Sequence, residues 1–307
     1  MTQIGLMIEG QNGLNWENWK NVLRTAEDSG YQCVFRSDHF TNPNGDHMDA
    51  LELWTSLTYA ASHTQRIEFG PLVTPITFRH PSFIVQYAAA VDVLSEGRLI
   101  LGMGTGWQDR EHREFGIYFP DLAERYERLE DGLEIVTRLF NSDDPVTYEG
   151  KHYSLDGAKI TMKRPGGPKM LIGGNGPKKT LPLAAKYAVE WNAVYLDHET
   201  FKDRNTLLNQ YLQEEGRTAA DVKRSLMTRM IYRKDQAALD AALAGMSQSK
   251  EELQNRGLIV GTSQEVTDLL GKWADAGAER LMLQWMELDD MASLEDFAAD
   301  VLPHFHR

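Results

Sequence analysis

Short apolar runs recur along the chain, and longer segments with the apolar spacing of an amphipathic helix separate them. The runs predict strands, and the segments between them predict helices. We predict strands over 3–8, 32–36, 67–72, 99–101, 170–172, 190–196, 225–232 and 280–285. We predict helices over 16–29, 50–62, 80–96, 122–140, 177–188, 199–215, 236–244, 250–256, from 262 onward and over 293–305.

Strand–helix alternation at a spacing of roughly 30 residues is typical of parallel βαβ units. Eight such units predict an α/β fold of the (β/α)8, or TIM, barrel class, which takes about 250 residues. Two insertions interrupt the alternation, at about 143–168 and 233–261, and the first contains a predicted hairpin over 146–153. Because no linker or repeat is found, we predict one domain over 1–307.

Several helix boundaries carry their own sequence signals. Gly30 follows the first predicted helix, as a left-handed terminating residue does. Pro81 suits a first helical turn, since it needs no backbone donor. Thr262 and Glu265 have the spacing of a capping box, in which each side chain accepts from the other residue's amide.

Composition narrows the function classes. The formal net charge of −13 argues against a nucleic-acid partner, because such proteins usually present a basic face. We find neither an apolar stretch long enough to span a membrane nor a signal peptide. The single cysteine, Cys33, rules out a disulfide within the chain and fits a reducing cytoplasm, so we expect a cytoplasmic protein.

Glycine-rich segments follow two predicted strands. Gly102, Gly104 and Gly106 alternate after the fourth strand, which predicts a bare backbone face against which a flat ligand could lie. The segment 173–177 (Gly-Gly-Asn-Gly-Pro) follows the fifth strand and predicts a phosphate site at a helix N-terminus, with Pro177 near the first helical position. An ordinary flexible connection is the alternative for this segment.

Polar and aromatic side chains lie at other strand ends. Asp38 and His39 follow the second strand, where a histidine could act as an acid or base near neutral pH; a purely structural role is equally open. The cluster over 46–49 lacks a recognised metal-ligand spacing, so we predict no metal site. Tryptophans near strand ends could line a pocket or fill the core: Trp107, Trp191 and Trp285.

Taken together, these motifs resemble the bacterial-luciferase-like superfamily of flavin- and deazaflavin-dependent oxidoreductases. The resemblance runs from residue 3 to about 283, and its motifs are Ser37-Asp38-His39-Phe40, 70–74, 79–81, 97–107, Glu111, 115–117, 124–133, 147–153, 171–176, 184–187 and 191–192.

The resemblance implies a barrel that binds its cofactor at the carboxyl ends of the strands. It implies a β-bulge at Leu72-Val73 with Thr74 beside it, often containing a cis non-proline peptide that presses on the cofactor ring. Asp38 would contact the ring edge, and Gly173, Gly174, Asn175 and Gly176 would hold the phosphate. The segment from Gly104 through Gly106 to Trp107 would contact the ring and the chain of the cofactor.

Within the superfamily, Ser-Asp-His and Gly-x-Gly-Trp followed by Glu-His look most like the branch that uses coenzyme F420. Related sugar-phosphate dehydrogenases carry a glutamate where this chain has Trp107 and an asparagine where it has Arg110. We therefore expect His39 to serve as the acid or base and Trp107 to contact an apolar or planar substrate.

The expected function is hydride transfer between F420 and a small-molecule substrate, with no nucleic-acid or membrane partner. One alternative is a monooxygenase that uses reduced FMN and oxygen. Another is a non-catalytic partner subunit of such an enzyme, against which the retained Asp38, His39 and 173–176 segment argue. The resemblance alone implies a homodimer.

Overall fold

Strands and helices alternate in the computed structural model, which describes residues 2–305. The strands are β1 Gln3–Ile8, β2 Cys33–Arg36, β3 Glu68–Pro71, β4 Thr74–Pro75, β5 Ile100–Gly104, β6 Val146–Glu149, β7 Ser154–Ala158, β8 Lys169–Gly173, β9 Glu190–Val194, β10 Lys223–Tyr232, β11 Ile259–Gly261 and β12 Arg280–Trp285. The helices are α1 Trp16–Ser29, α2 Leu53–His63, α3 Pro81–Leu94, α4 Asp109–Glu114, α5 Leu122–Asn141, α6 Thr180–Tyr187, α7 His198–Glu214, α8 Gln236–Leu243, α9 Lys250–Asn255, α10 Ser263–Asp275 and α11 Met291–Asp300.

Parallel pairing joins the barrel strands in the order β3-β2-β1-β12-β10-β9-β8-β5-β4. The third barrel strand is divided: β3 pairs with β2, whereas β4 pairs with β5. A parallel bridge between Phe69 and Leu99 joins the two edges and closes the barrel. The predicted (β/α)8 architecture is confirmed.

The strands bury side chains on both faces, as the strands of a barrel surrounded by helices must. Inside the barrel a compact cluster contains residues from most of the strands. The larger cluster lies between the outer face of the strands and the helices. The interior cluster comprises Met7, Cys33, Phe35, Leu72, Ile100, Leu171, Met227 and Met282.

Both insertions add secondary structure outside the barrel. The first contains the antiparallel hairpin of β6 and β7, which extends to Ala158 and so exceeds the predicted 146–153. The second contains α8, α9 and β11, and β11 lengthens the sheet by pairing with the end of β10. An apolar cluster that includes Ile231, Leu253 and Val260 holds this second insertion against the barrel.

Two predicted boundaries are wrong and one helix is missing from the prediction near the mouth, the end of the barrel where the parallel strands finish. The strand predicted over 99–101 continues to Gly104, so Gly102 and Gly104 lie within β5. Helix α6 begins at Thr180, three residues beyond Pro177, because a turn intervenes. The short helix α4 escaped prediction, since six residues carry too little periodicity.

Helix capping follows the sequence signals. Gly30 adopts φ +92° after α1, and Pro81 occupies the first turn of α3. The backbone amide of Thr262 donates to Glu265 at 3.0 Å in the capping box of α10. Within residues 2–305, none of the helices has the length and apolar character needed to cross a bilayer.

Candidate active site at the barrel mouth

His39 and Glu111 form a buried pair at the mouth. His39 follows β2, and the short helix α4 brings Glu111 to it from the loop after β5. The Nδ1 atom of His39 lies 2.7 Å from Oε1 of Glu111, and the amide of Phe40 donates to Oε2 at 2.8 Å. Both carboxylate oxygens are therefore occupied, and Glu111 fixes the imidazole and its backbone together.

Two opposing effects set the protonation of His39. Burial disfavours its charged form, but the hydrogen bond and negative charge of Glu111 outweigh that effect, so the pKa of His39 is raised. With Nδ1–H donated to Glu111, Nε2 is the ring atom left to exchange a proton with a ligand. The arrangement can hold a proton at Nε2 at a pH where a free imidazole would be mostly neutral.

Trp107 lies beside this pair. Its ring meets the ring of His39 edge-on, with centroids 5.6 Å apart and an interplanar angle of 78°. The side chain is 61% exposed, so it forms an open wall of the mouth and is not part of the core. The two residues predicted from sequence as catalytic are thus neighbours.

Asp38 has different partners from His39, as expected for adjacent residues that point to opposite sides. Its Oδ2 atom accepts from Thr74 at 2.8 Å and from Arg79 at 2.5 Å. Arg79 also donates to Glu52 at 3.1 Å. Asp38 and His39 therefore do not form a catalytic pair, and the buried Asp38 ties the end of β2 to β4 and the segment after it.

The peptide bond between Leu72 and Val73 is cis, as the resemblance implies. The side chain of Val73 lies against the glycines of the neighbouring strands. An added Cβ would lie 2.6 Å from Val73 at Gly104, 2.9 Å from it at Gly173 and 3.1 Å from it at Gly102. The prediction of a bare face is wrong at Gly102 and Gly104, because Val73 occupies that face, and for Gly106 it stays a prediction.

Gly106 is the glycine of this series that lies in the loop. Its φ is +75°, a conformation that favours glycine, and an added Cβ would lie 3.0 Å from Oγ1 of Thr77. Arg125 donates to its carbonyl group and lies over the ring of Phe119 at 4.3 Å. Arg125 therefore holds the loop that carries Trp107.

Two carbonyl groups of the 173–176 loop accept hydrogen bonds from side chains of β9 and α7. The carbonyl of Gly174 accepts from the indole of Trp191 at 2.8 Å, and that of Asn175 accepts from Nε of Arg204 at 3.2 Å. Because a peptide unit is planar and trans, the following N–H groups, of Asn175 and Gly176, point in the opposite directions. Successive amides directed to one side form an anion-binding concavity.

Side chains fix the shape of this loop. The amide group of Asn175 donates to the carbonyl of Val194 at 2.7 Å and accepts from its N–H at 2.9 Å. The carbonyl of Gly176 accepts from Thr180, whose hydroxyl lies 2.9 Å from that of Tyr126. The side chain of Asn175 thus supports the loop, and its backbone is the part available to a ligand.

A chain of polar side chains lines the opposite wall of the mouth. Tyr195 donates to Gln284, Gln284 donates to Glu9 at 2.5 Å, and Gln11 donates to the other oxygen of Glu9 at 2.7 Å. Ser37 donates to Gln11 at 2.6 Å and completes the chain beside β2. This wall places hydrogen-bonding groups around a site whose floor is apolar.

Two of the three tryptophans proposed for a pocket belong to the core. Trp191 and Trp285 are fully buried, at 0% and 1% exposure, so the pocket interpretation is wrong for both. Their indole N–H groups donate to the carbonyls of Gly174 and Glu287. Each supports a loop at the mouth from behind.

Comparison with known proteins identifies the family of the chain. The family described as luciferase-like monooxygenase matches residues 1–257. The chain belongs to the luciferase-like monooxygenase family. An F420-dependent glucose-6-phosphate dehydrogenase of Amycolatopsis mediterranei is 27% identical over 312 residues, covering 91% of each chain.

Solved structures of luciferase-like proteins share the fold. An F420-dependent secondary alcohol dehydrogenase in complex with an F420-acetone adduct has a TM-score of 0.87 at 20% identity, covering 100% of this chain and 99% of its own. A monooxygenase from Streptomyces bottropensis has a TM-score of 0.82 at 19% identity, covering 99% and 100%. At these identities the likeness establishes the fold alone.

Several side chains at the site of this luciferase-like protein were not assigned roles from sequence. Glu111 and Arg79 belong to the motifs that carry the resemblance, but spacing alone does not show that they meet His39 and Asp38. Glu9 interrupts an otherwise apolar strand, which is a usable signal of a polar mouth. Among the described residues, no group of three or more histidine, cysteine or acidic side chains is placed to bind a metal.

Proposed function

We propose that this luciferase-like protein is an F420-dependent oxidoreductase that transfers a hydride between the deazaflavin and a small organic substrate. The observation that carries the proposal is the hydrogen-bonded pair of His39 and Glu111 at the mouth, in which Glu111 favours a proton on the imidazole. Hydride transfer to a carbonyl group leaves an oxygen that needs a proton, and the reverse reaction must remove one. His39 is the residue placed to serve both directions.

The names of the relatives support F420 as the cofactor. The Amycolatopsis mediterranei protein covers nine-tenths of both chains and is named for F420, and so is the secondary alcohol dehydrogenase of the same fold. Trp107 and Arg110 replace the glutamate and asparagine of the sugar-phosphate dehydrogenases. We therefore propose that the substrate is an alcohol or a carbonyl compound, and we do not propose that it is a sugar phosphate. Arg110 is engaged with Glu114 at 2.8 Å.

The residues present fit such a cofactor. The N–H groups of Asn175 and Gly176 offer an anion site for its phosphate, and Gly174 has φ +128°, which keeps side-chain bulk away from that site. Val73 forms an apolar floor on which a flat ring can rest. We propose that Leu72, Val73 and Thr74, with Asp38 beyond them and the segment from Gly104 through Gly106 to Trp107 beside them, surround the ring.

The chain's own groups then divide the work. Coenzyme F420, when bound, supplies or accepts the hydride. Glu111 orients the imidazole and stabilises its positive charge, while Nε2 of His39 exchanges the proton with the substrate oxygen. Trp107 covers the mouth beside His39 and presents an aromatic face to the substrate.

Cofactor titration tests the proposal. Fluorescence quenching of the purified apo-protein with F420 and, separately, with FMN should show tight binding of F420 and much weaker binding of FMN. Tight FMN binding with negligible F420 binding would identify the monooxygenase alternative. Failure to bind either cofactor would identify a partner subunit.

We further propose a homodimer formed through α3. The exposed positions of this helix carry no charge, although the chain has a net charge of −13. Self-association about a two-fold axis favours such a patch, because any charge near the axis would meet its own copy. The exposed positions are Phe83, Gln86, Tyr87, Ala90, Val93 and Leu94.

Sedimentation measurements test this surface. The unchanged protein should sediment as a dimer, and the double variant F83E/L94E should sediment as a folded monomer because four carboxylates would face one another. A dimer that persists in the double variant would exclude α3 as the interface. The matched control is Arg138→Glu on the outer surface of α5.

We also propose a cytoplasmic location for the protein. Cys33 is buried inside the barrel, and burial raises the pKa of its thiol to about 12. A neutral, enclosed thiol packs as a small apolar side chain, which suits the cytoplasm that we propose.

We propose a single domain, of which residues 2–305 are described and Met1, His306 and Arg307 lie outside the described residues.

A further inference from the structure

Arg229 faces the interior of the barrel at the level of the mouth. Along β10, Leu226 packs outward in the core beneath the helices, whereas Met227 belongs to the interior cluster. Since side chains alternate along a strand, Arg229 continues the interior row one step above Met227. It pairs in register with Gln284 of β12, which belongs to the polar wall of the mouth.

The guanidinium group of Arg229 has no partner in the described part of the chain. Its Nε atom is buried without a hydrogen bond, and no carboxylate of residues 2–305 forms an ion pair with the group. Buried donors in native proteins are nearly always satisfied, so an orphaned arginine nitrogen needs an explanation. A ligand that accepts hydrogen bonds would supply one.

The nearby carboxylate of Glu9 does not pair with Arg229. Glu9 already accepts from Gln11 and Gln284, one on each oxygen. Tyr195 lies between these charges: burial raises the pKa of its phenol to about 12, Glu9 adds to the rise and Arg229 opposes it. The positive charge of Arg229 is therefore close to Tyr195 but remains unpaired.

Backbone geometry marks the same wall. Tyr195 has φ +50°, which non-glycine residues adopt rarely and which is often found at functional sites. This conformation leaves its side chain 42% exposed at the mouth, with the hydroxyl bonded to Gln284. Tyr195 and Arg229 thus offer a phenolic and a cationic group side by side.

The second insertion encloses this corner from above. Ile231, the next residue in the row of Arg229, shares an apolar cluster with Leu239 of α8 and Leu253 of α9. A charge pair formed beneath this apolar layer is screened less by water than one at the surface. The corner is suited to a small ligand group.

We propose that Arg229 binds an anionic group of the substrate, a carboxylate or phosphate oxygen, and so selects for anionic substrates. The inference rests on the proposed function, because it assumes that the substrate occupies the mouth beside His39. A planar guanidinium group suits such oxygens, to which it can donate two parallel hydrogen bonds. The cofactor also carries anionic oxygens, so the experiment must separate the two sources.

The test uses the protein saturated with F420 and three probe anions, namely acetate, malonate and inorganic phosphate. Isothermal titration measures the Kd of each anion for the unchanged protein and for the variants Arg229→Met, Arg229→Lys and Arg138→Met. We expect at least one anion to bind the unchanged protein and to lose about tenfold or more in affinity with Arg229→Met. Arg229→Lys should retain part of the affinity, and the surface control Arg138→Met should retain all of it.

A separate titration of each variant with F420 in the absence of anions identifies the source. The proposal expects the F420 affinity to stay nearly unchanged in Arg229→Met. It is overturned if no probe anion binds the unchanged protein, if Arg229→Met binds them equally well, or if Arg229→Met weakens F420 itself tenfold. If the unchanged protein fails to bind F420, the proposed function fails, and anion titration of the apo-protein still tests Arg229.

Discussion

Both ends of the barrel contain buried charges, but the charges have different partners at the two ends. At the end where the strands begin, Arg280 is 1% exposed and pairs with Glu68 and with Glu190, the latter at 3.2 Å. Its Nε atom also donates to Gln3 at 2.9 Å, and Lys223 donates to the same oxygen at 2.8 Å. Positive and negative groups therefore alternate and neutralise one another.

At the mouth the charges leave atoms free. His39 uses one ring nitrogen for Glu111 and has the other available, while Arg229 lacks a partner among the described residues. Both lie where a (β/α)8 barrel carries its active site, whereas the opposite end serves stability. Incomplete hydrogen bonding alone does not mark function here, since Nη1 of Arg280 and Oε1 of Glu190 also lack hydrogen-bond partners at the closed end; position at the mouth is needed as well.

The largest effect should come from breaking the closed end. Arg280→Met leaves Glu190 buried without its counter-charge, which we expect to cost about 3–5 kcal/mol of the free energy of unfolding. Urea denaturation measures this loss. The turnover number of the molecules that remain folded should be unchanged, since Arg280 is remote from the mouth.

Lys169→Met is the matched control at the same end. Lys169 donates to Glu68 at 2.8 Å, but its side chain is 59% exposed. Exposed ion pairs contribute little, so the free energy of unfolding should fall by less than about 1 kcal/mol. Equal losses in the two variants would contradict the view that burial gives this network its importance.

The next effect is catalytic. His39→Gln should lower turnover by about 10²-fold or more, the usual contribution of a general acid or base, because glutamine cannot exchange the proton. Affinity for F420 should change little. Steady-state kinetics with a substrate found by screening, together with fluorescence titration, measure both quantities.

His63→Gln is the control for this substitution. His63 lies at the exposed end of α2, away from the mouth, and bonds only locally to Ser62 and Tyr59. It should leave turnover unchanged. Full turnover in His39→Gln would remove His39 from the mechanism and return its pair with Glu111 to a structural role.

Most of the fold could be predicted from the sequence because each unit repeats a local pattern. Apolar runs such as 225–232 and capping signals such as Thr262 with Glu265 depend on neighbouring residues, so they survive without knowledge of the tertiary structure. The boundaries near the mouth could not be predicted. There, α6 begins after an added turn, and β4 is separated from β3 by the cis bond after Leu72.

The site was predictable only as a set of residues. His39, Trp107 and the 173–176 loop were identified from their positions after strands, and the structure brings the first two together. Their partners come from distant segments, as with the 72 residues that separate His39 from Glu111. The prediction of a bare face at Gly102 and Gly104 is wrong for the same reason, since Val73 reaches them from the segment between β3 and β4.

The smallest effect concerns the pH dependence of the mouth. Glu111 raises the pKa of His39, and Glu111→Gln keeps a similar shape while removing the negative charge. The pKa of His39 should therefore fall. Substrate reduction needs protonated His39, so its rate declines as pH rises through this pKa, and the decline should begin at lower pH in the variant. Substrate oxidation needs the neutral ring, so its rate rises with pH through this pKa. That rise should begin at lower pH in the variant as well.

The raised pKa of His39 also makes the free energy of unfolding depend on pH. A histidine whose folded pKa is raised contributes stability that is fully present below its unfolded pKa and is lost as pH rises through the folded value. Glu111→Gln should therefore lower the free energy of unfolding more at acidic pH than at alkaline pH. Glu114→Gln, on the same helix but partly exposed, should leave the pH–rate profile in place. Identical profiles for Glu111→Gln and the unchanged protein would show that Glu111 positions His39 without tuning its proton.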